Sequence, residues 1–238
     1  MNCAYVSYIC NDNYLNGLIA LINSLIYHKT KFELIVMVTK DISQDSKSKL
    51  QNYSNVVIHD VPEIYYSGSK KHLMKDRYGN NDKSWMMFTK FNIFNIKNYE
   101  RLLYIDADTI TLQNIDHIFE TNINDFELYA VLGGSKMLNY SGIEGGVLYF
   151  KPNNNLFIQL MNDFNNDMYD VTMTDQSFIN DFFKKRGVIK FLDEKWNRLT
   201  KKNKNITGCY IYHWNSDKPW INNKVLHYDV WLKYFNFM

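Results

Sequence analysis

The chain has few cysteines, no long apolar run and almost no excess of charge, and each shortage removes a class of protein. Its three cysteines, Cys3, Cys10 and Cys209, are odd in number and lack metal-ligand spacing, so neither a disulfide framework nor a thiolate zinc site is indicated. A reducing compartment fits that usage. No apolar stretch approaches the ~20 residues of a membrane span, and Asn2 to Cys10 carries neither a basic leader nor a cleavage signal. No membrane insertion is expected, and the expected location is the cytoplasm. The sequons at Asn52, Asn139 and Asn205 lose their meaning there, because such sites are glycosylated in secreted chains. With 27 basic against 25 acidic residues, nothing draws the chain to nucleic acid, so any basic site must be local. A glycine-rich phosphate turn is also missing: Cys10-Asn11-Asp12-Asn13 follows the first strand without a glycine. This argues against a dinucleotide oxidoreductase and against a sugar nucleotidyltransferase. The abundance of Asn, Lys, Ile, Tyr and Phe fits an AT-rich genome, viral or cellular.

What remains is a chain of 238 residues, 46% hydrophobic, enough for one sizeable α/β domain. Ala4 to Cys10 reads as a strand, and Asn11-Asp12-Asn13 as a turn and helix cap. Leu15, Leu18, Ile19, Ile22, Leu25 and Ile26 then recur at helical spacing. Leu34 to Thr39 is a second strand, Ser43 to Asn52 a polar helix and Val56 to His59 a third strand. The alternation predicts a Rossmann-like, mostly parallel sheet flanked by helices. Pro62 to Lys83 reads as a long loop, and Trp85 to Ile96 as a helix. Val147 to Phe150 is a strand entered through Gly145-Gly146, where absent side chains let a ligand approach the backbone. Helices are expected at Phe157 to Phe164 and Phe178 to Phe183, and strands at Val188 to Leu192 and Gly208 to Tyr212. No repeat or domain boundary is evident.

The most informative stretch is Arg101-Leu-Leu-Tyr-Ile-Asp106-Ala107-Asp108-Thr109, an apolar run ending in two carboxylates one residue apart. On a continuing strand both would face the same way. At roughly 6 Å and an effective dielectric near 20 they would repel by about 3 kcal/mol, which calls for a cation or a shared proton. A divalent metal is the simplest answer, and ligands gather at the carboxyl ends of central strands. His213 follows the last strand and precedes Lys218-Pro219-Trp220. A neutral imidazole can join two carboxylates on a borderline metal, and the lysine can meet phosphate oxygens. Thr172 and Asp175 match a capping box, so Asp175 either satisfies helix N-terminal donors or projects into a cleft where it serves a sugar.

In this order the motifs resemble the glycogenin-like members of glycosyltransferase family 8 over nearly the whole chain. Tyr5 to Tyr14 resembles the family's opening strand and turn, Thr89-Lys90 its helix lysine, and Leu103 to Thr109 its metal motif. Asn114 to Phe119 continues the match, Ile143 to Val147 resembles the donor-sugar loop, and Asp175-Gln176 the pair beside the sugar. His213 with Lys218-Pro219-Trp220 resembles the carboxyl-terminal segment. The resemblance implies a single GT-A domain over 1–238, with a nucleotide-binding half to about 115 and a sugar and acceptor half beyond it. It implies Mn²⁺, with Mg²⁺ as the substitute, held by Asp106, Asp108 and His213. It implies a UDP-sugar donor, UDP-glucose favoured, retention of anomeric configuration and a homodimer. Nucleotide contacts are implied for Tyr8, Cys10, Asn11, Tyr14, Arg77, Lys90, Asp106, Ala107, Asp108, His213 and Lys218. Sugar contacts are implied for Glu144, Gly145, Asp175 and Gln176, with Asp175, Gln176 and Lys218 catalytic. There are departures. Glu144 replaces an amide, Gly145 a serine and Thr172 an aspartate, and Glu194 to Gly208 lacks the tyrosine that receives glucose in glycogenin. The acceptor is then a separate, unknown molecule. The competing reading is a nucleotide-sugar-binding protein that has lost catalysis.

Overall fold

The computed structural model describes residues 2–73, 85–200 and 205–237. Cys3–Ile9 forms β1, buried throughout, and Leu15–Tyr27 forms α1. Between them Asn11 caps a 3₁₀ turn by accepting from Asn13 N, as the sequence suggests. Leu34–Val38 (β2), Gln44–Gln51 (α2) and Val56–Asp60 (β3) complete the predicted alternation. β1 pairs in parallel with β2, Tyr5 opposite Leu34, and β2 with β3, Leu34 opposite Val56. The apolar strands supply buried Val, Ile and Leu side chains, while α1 turns Leu18, Leu21, Ile22 and Leu25 inward at helical spacing.

Trp85–Phe88 (α3) departs from the predicted helix to Ile96: from Thr89 to Asn95 the chain tightens into a 3₁₀ helix. Arg101–Ile105 is β4, Thr109–Thr111 β5, Leu128–Ser135 β6 and Tyr140–Phe150 β7. β6 and β7 form an antiparallel hairpin, of which only Val147 to Phe150 is legible as strand. Asn154–Asn165 (α4), Asp175–Lys185 (α5) and Ile189–Leu192 (β8) follow, with β8 parallel to β6. Arg198–Leu199 is β9, Ile211–His213 β10 and Tyr228–Phe235 α6. Hydrogen bonding orders a seven-stranded sheet β3-β2-β1-β4-β7-β6-β8 and a three-stranded sheet β5-β10-β9. The predicted α/β class with a large, mostly parallel sheet is observed.

The chain falls into two compact units that interleave in sequence. One comprises Met1–Asn2, Val61–Leu102 and Ile123–Leu192, the other Cys3–Asp60, Leu103–Asn122 and Asp193–Met238. The first is cored by rings: Phe91 packs on Phe164 and Phe178 with centroids 5.3 and 5.4 Å away, and Phe88 on Phe164 at 4.9 Å. In the second, Ala20, Ile110, Tyr212, Trp214, Trp231 and Tyr234 form a buried cluster. No described helix is long and apolar enough to cross a membrane.

Candidate active site

In the second unit β4 stops at Ile105 and β5 begins at Thr109, so the acidic pair stands in a turn rather than on a strand. The expectation that strand alternation aligns the carboxylates is therefore wrong. A reversal brings them together instead, closed by Thr109 Oγ1 donating to the Asp106 carbonyl at 2.8 Å. Antiparallel pairing of β5 with β10 sets His213 opposite Thr109, and Trp214 N donates to the Asp108 carbonyl at 3.0 Å. That register delivers the imidazole to the turn. His213 Nε2 lies 3.1 Å from Asp108 Oδ1 and 3.9 Å from Asp106 Oδ2. One atom each from Asp106, Asp108 and His213 lies within 4.8 Å of the others. β10 runs from Ile211 to His213, shorter than the expected strand from Gly208 and ending one place beyond the expected Tyr212.

Supporting groups fix this arrangement. His213 Nδ1 donates to Asn197 Oδ1 at 2.9 Å, which leaves Nε2 to carry a proton toward Asp108 or, once that proton is lost, to serve as a metal ligand. Two carboxylates and an imidazole converging at these distances suit a divalent cation. Tyr104 donates to Asp106, and Lys218 donates to Asp108 Oδ2 and, at 2.6 Å, to the Trp214 carbonyl. Burial opposes ionisation of Asp108, yet His213 and Lys218 hold its carboxyl well below the usual range. Burial likewise works against imidazolium at His213, but Asp108 and then Asp106 outweigh it and raise the affinity for a proton. Asn197 and Tyr104 carry no sequence signal for these roles, although Tyr104 belongs to the acidic motif itself.

The predicted nucleotide residues of the first turn lie in this same unit. Tyr8 is buried near the end of β1, and Asn11 Nδ2 donates to Cys10 Sγ at 3.5 Å. Burial pushes the Cys10 thiol up. Tyr14 meets Trp220 edge-on, centroids 5.6 Å apart. A Cβ on Gly17 would stand 2.5 Å from the Trp220 ring and 2.7 Å from the Ala107 carbonyl. Glycine in α1 therefore allows the helix to touch both the acidic turn and the Lys218-Pro219-Trp220 segment.

The first unit holds a second charged cluster. Phe91 docks the 3₁₀ helix on Phe178 of α5, and the neighbouring Lys90 reaches the first residue of that helix: Lys90 Nζ lies 2.7 Å from Asp175 Oδ2. Both side chains are buried, 8% and 6% exposed, and Lys90 also donates to the Gly145 carbonyl at 3.3 Å. The capping box does not form. The N-cap is Thr174, at φ 55° and with no side-chain cap bond, while Thr172 Oγ1 is drawn to Asp170 Oδ1 at 2.6 Å. Asp175 Oδ1 instead accepts from Thr174 Oγ1 at 3.0 Å. Gln176 Oε1 accepts from Gly145 N at 2.9 Å. Glu144, half-buried, has its carboxylate over Gly133 of β6. Arg77 lies outside the described residues.

The chain is similar to known proteins over much of its length. Glycogenin of Komagataella phaffii is 28% identical over 163 residues, which cover 68% of this chain and 38% of that protein. Galactinol synthase 1 of Solanum lycopersicum is 24% identical over 220 residues, covering 83% of this chain and 65% of its own. The chain thus spans less than two thirds of the length of either relative. The solved galactosyltransferase LgtC, in complex with donor and acceptor sugar analogues, superimposes with a TM-score of 0.70 at 16% identity, covering 98% of this chain and 95% of that one. That likeness establishes the GT-A fold. A family model, glycosyl transferase family 8, matches residues 5–228. With its acidic turn, its histidine partner and its fold in place, the chain belongs to glycosyltransferase family 8.

Proposed function

We infer that the chain transfers a hexose from a UDP-sugar, UDP-glucose favoured, to a separate acceptor with retention of anomeric configuration and with Mn²⁺ as its metal. The observation that carries this reading is the convergence of Asp106, Asp108 and His213, with Lys218 on the same carboxylate. When bound, the cation would supply charge neutralisation to the diphosphate as the glycosidic bond breaks. Asp106, Asp108 and His213 would hold it, and Mg²⁺ would meet the same oxygen ligands less tolerantly of geometry. Lys218 would exchange Asp108 for a phosphate oxygen as negative charge grows there, favouring the transition state over the ground state. Tyr8, Cys10, Asn11 and Tyr14 would receive the uridine.

Asp175 would stabilise the oxocarbenium-like sugar. Its Oδ2 is engaged by Lys90, which favours electrostatic support over bond-forming attack while that pair persists. Glu144, Gly145 and Gln176 would meet the sugar hydroxyls, and an acidic residue at 144 alters the hydroxyl pattern the pocket accepts. The stretch from 194 to 208 offers no tyrosine, so glycogenin-type self-glucosylation at that place is not expected. The test is UDP release and intact mass after incubation with a panel of UDP-sugars, with and without Mn²⁺. Added hexose mass identifies donor and self-modification together, and UDP without added mass indicates an external acceptor or water. Binding of every donor without release of UDP would replace this reading with an inactive nucleotide-sugar binder.

A further inference from the structure

On its β6 side the hairpin strand β7 carries an irregularity. Ala130 pairs with Leu148 and Leu132 with Ile143, so Glu144 to Val147 stand against Val131 alone. Such irregularities bend a strand and re-aim its side chains. Tyr140 and Lys90 hold the Ile143 and Gly145 carbonyls, and α5 holds the N–H groups of the same residues. Asn180 Oδ1 accepts from Ile143 N at 3.2 Å, and Gln176 Oε1 accepts from Gly145 N at 2.9 Å. The geometry matches because four helical residues rise about 6 Å, while two strand residues advance about 6.7 Å and present their N–H groups on the same side. Gly142 is part of the fit, since a Cβ there would stand 2.4 Å from Asn180 Oδ1.

Asn180 is buried, and its other end is engaged as well. Nδ2 donates to Asp181 Oδ1 at 3.0 Å, and Asp181 Oδ2 accepts from Asp170 N at 3.3 Å. Both partners of the Asn180 amide demand the same orientation, oxygen toward Ile143 and nitrogen toward Asp181. Asp170 in turn accepts from Thr172 N and Oγ1. One turn of α5 thus ties the backbone on either side of Glu144 to the loop that leads into Asp175.

The geometry points to Asn180 as a positioning residue that sets donor-sugar selectivity: it holds the Ile143 to Gly145 backbone so that Glu144 and Gly145 meet the sugar in one register. This rests on the transferase reading for its consequence, but the clamp itself can be tested separately. Asn180→Leu keeps the volume and strands a buried N–H, a loss that corresponds to about a tenfold effect. The donor KM should rise about tenfold, with discrimination between UDP-glucose and UDP-galactose reduced, kcat changed less and inhibition by UDP alone unchanged. Hydrogen exchange in a peptide covering 140–150 should accelerate, with the β1 and β2 peptides unaffected.

The paired swap Asn180→Asp/Asp181→Asn should restore both readouts. Its charge is unchanged: the carboxylate at 180 accepts from Ile143, and the amide at 181 donates to that carboxylate while its oxygen accepts from Asp170. Unaltered exchange in Asn180→Leu, or a folded swap variant that exchanges as fast as Asn180→Leu, would overturn the clamp. A shift of donor KM and UDP inhibition together would overturn the selectivity role. If the wild-type protein turns over no UDP-sugar, that result counts against the transferase reading alone, and the exchange measurements still decide the clamp.

Discussion

The acidic turn of one unit and the buried Lys90–Asp175 pair of the other are both charge clusters, yet they are balanced in opposite ways. At Asp106 and Asp108 two carboxylates and an imidazole converge, with the Lys218 ammonium on Asp108. At Asp175 a single carboxylate is met by a single ammonium and a hydroxyl. The first holds more carboxylate than ammonium and suits a cation, whereas the second is neutral within itself. Removing a group should therefore change ligand binding in the first and folding stability in the second.

The sharpest break is Asp108→Asn, which removes a ligand and the partner of both His213 and Lys218. Transferase activity should fall about a thousandfold, since a catalytic cation contributes several kcal/mol to the transition state, and Mn²⁺ binding by calorimetry should be lost. Retained Mn²⁺ affinity would show that the ligands lie elsewhere.

Lys90→Met should instead destabilise the fold by about 3–5 kcal/mol, because a buried carboxylate left without its partner costs more than the pair contributed. Urea unfolding measures this, and adding Asp175→Asn to the same chain should recover part of the loss. An unchanged midpoint in Lys90→Met would erase the contrast between the clusters.

Gly17→Ala is a smaller probe of the unit that carries the acidic turn. Alanine gains about 1 kcal/mol in helix propensity, but its methyl would press on the Ala107 carbonyl and the Trp220 ring, and overpacking of that kind costs about 1–3 kcal/mol. The clash should win, weakening Mn²⁺ binding severalfold as the acidic turn shifts. Binding as tight as wild type would mean that the turn is held from its other sides.

The mildest test is pH. Without metal, His213 is held above its ordinary value of 6.5, so its contribution to stability is complete below that pH and is lost as pH rises through the raised value. Asp108, held below 3.8, contributes above that pH and fades as pH falls through its depressed value. Protons and metal compete for the imidazole, so Mn²⁺ affinity should weaken as pH drops into the His213 range. Affinity that is flat from pH 5.5 to 8 would remove His213 from the ligand set.

Much of the fold is legible along the chain because its first half is built from apolar strands and an amphipathic helix whose periods differ plainly. The β6–β7 hairpin is not, since Gly133, Gly134, Gly142, Gly145 and Gly146 interrupt any alternation. The 3₁₀ helix after Phe88 escapes as well, because apolar residues at spacing three and four fit either helix.

By itself the sequence determined which groups are present: an acidic pair after an apolar strand, a late histidine and lysine, and an Asp-Gln pair opening a helix. The tertiary structure alone decided how they are used. Antiparallel register brought His213 to Asp108, Asn197 fixed the orientation of its ring, and packing of the 3₁₀ helix paired Lys90 with Asp175. The reason is physical: residue type and spacing encode local geometry, whereas a charge finds its partner through strand register and helix packing between residues far apart in the chain.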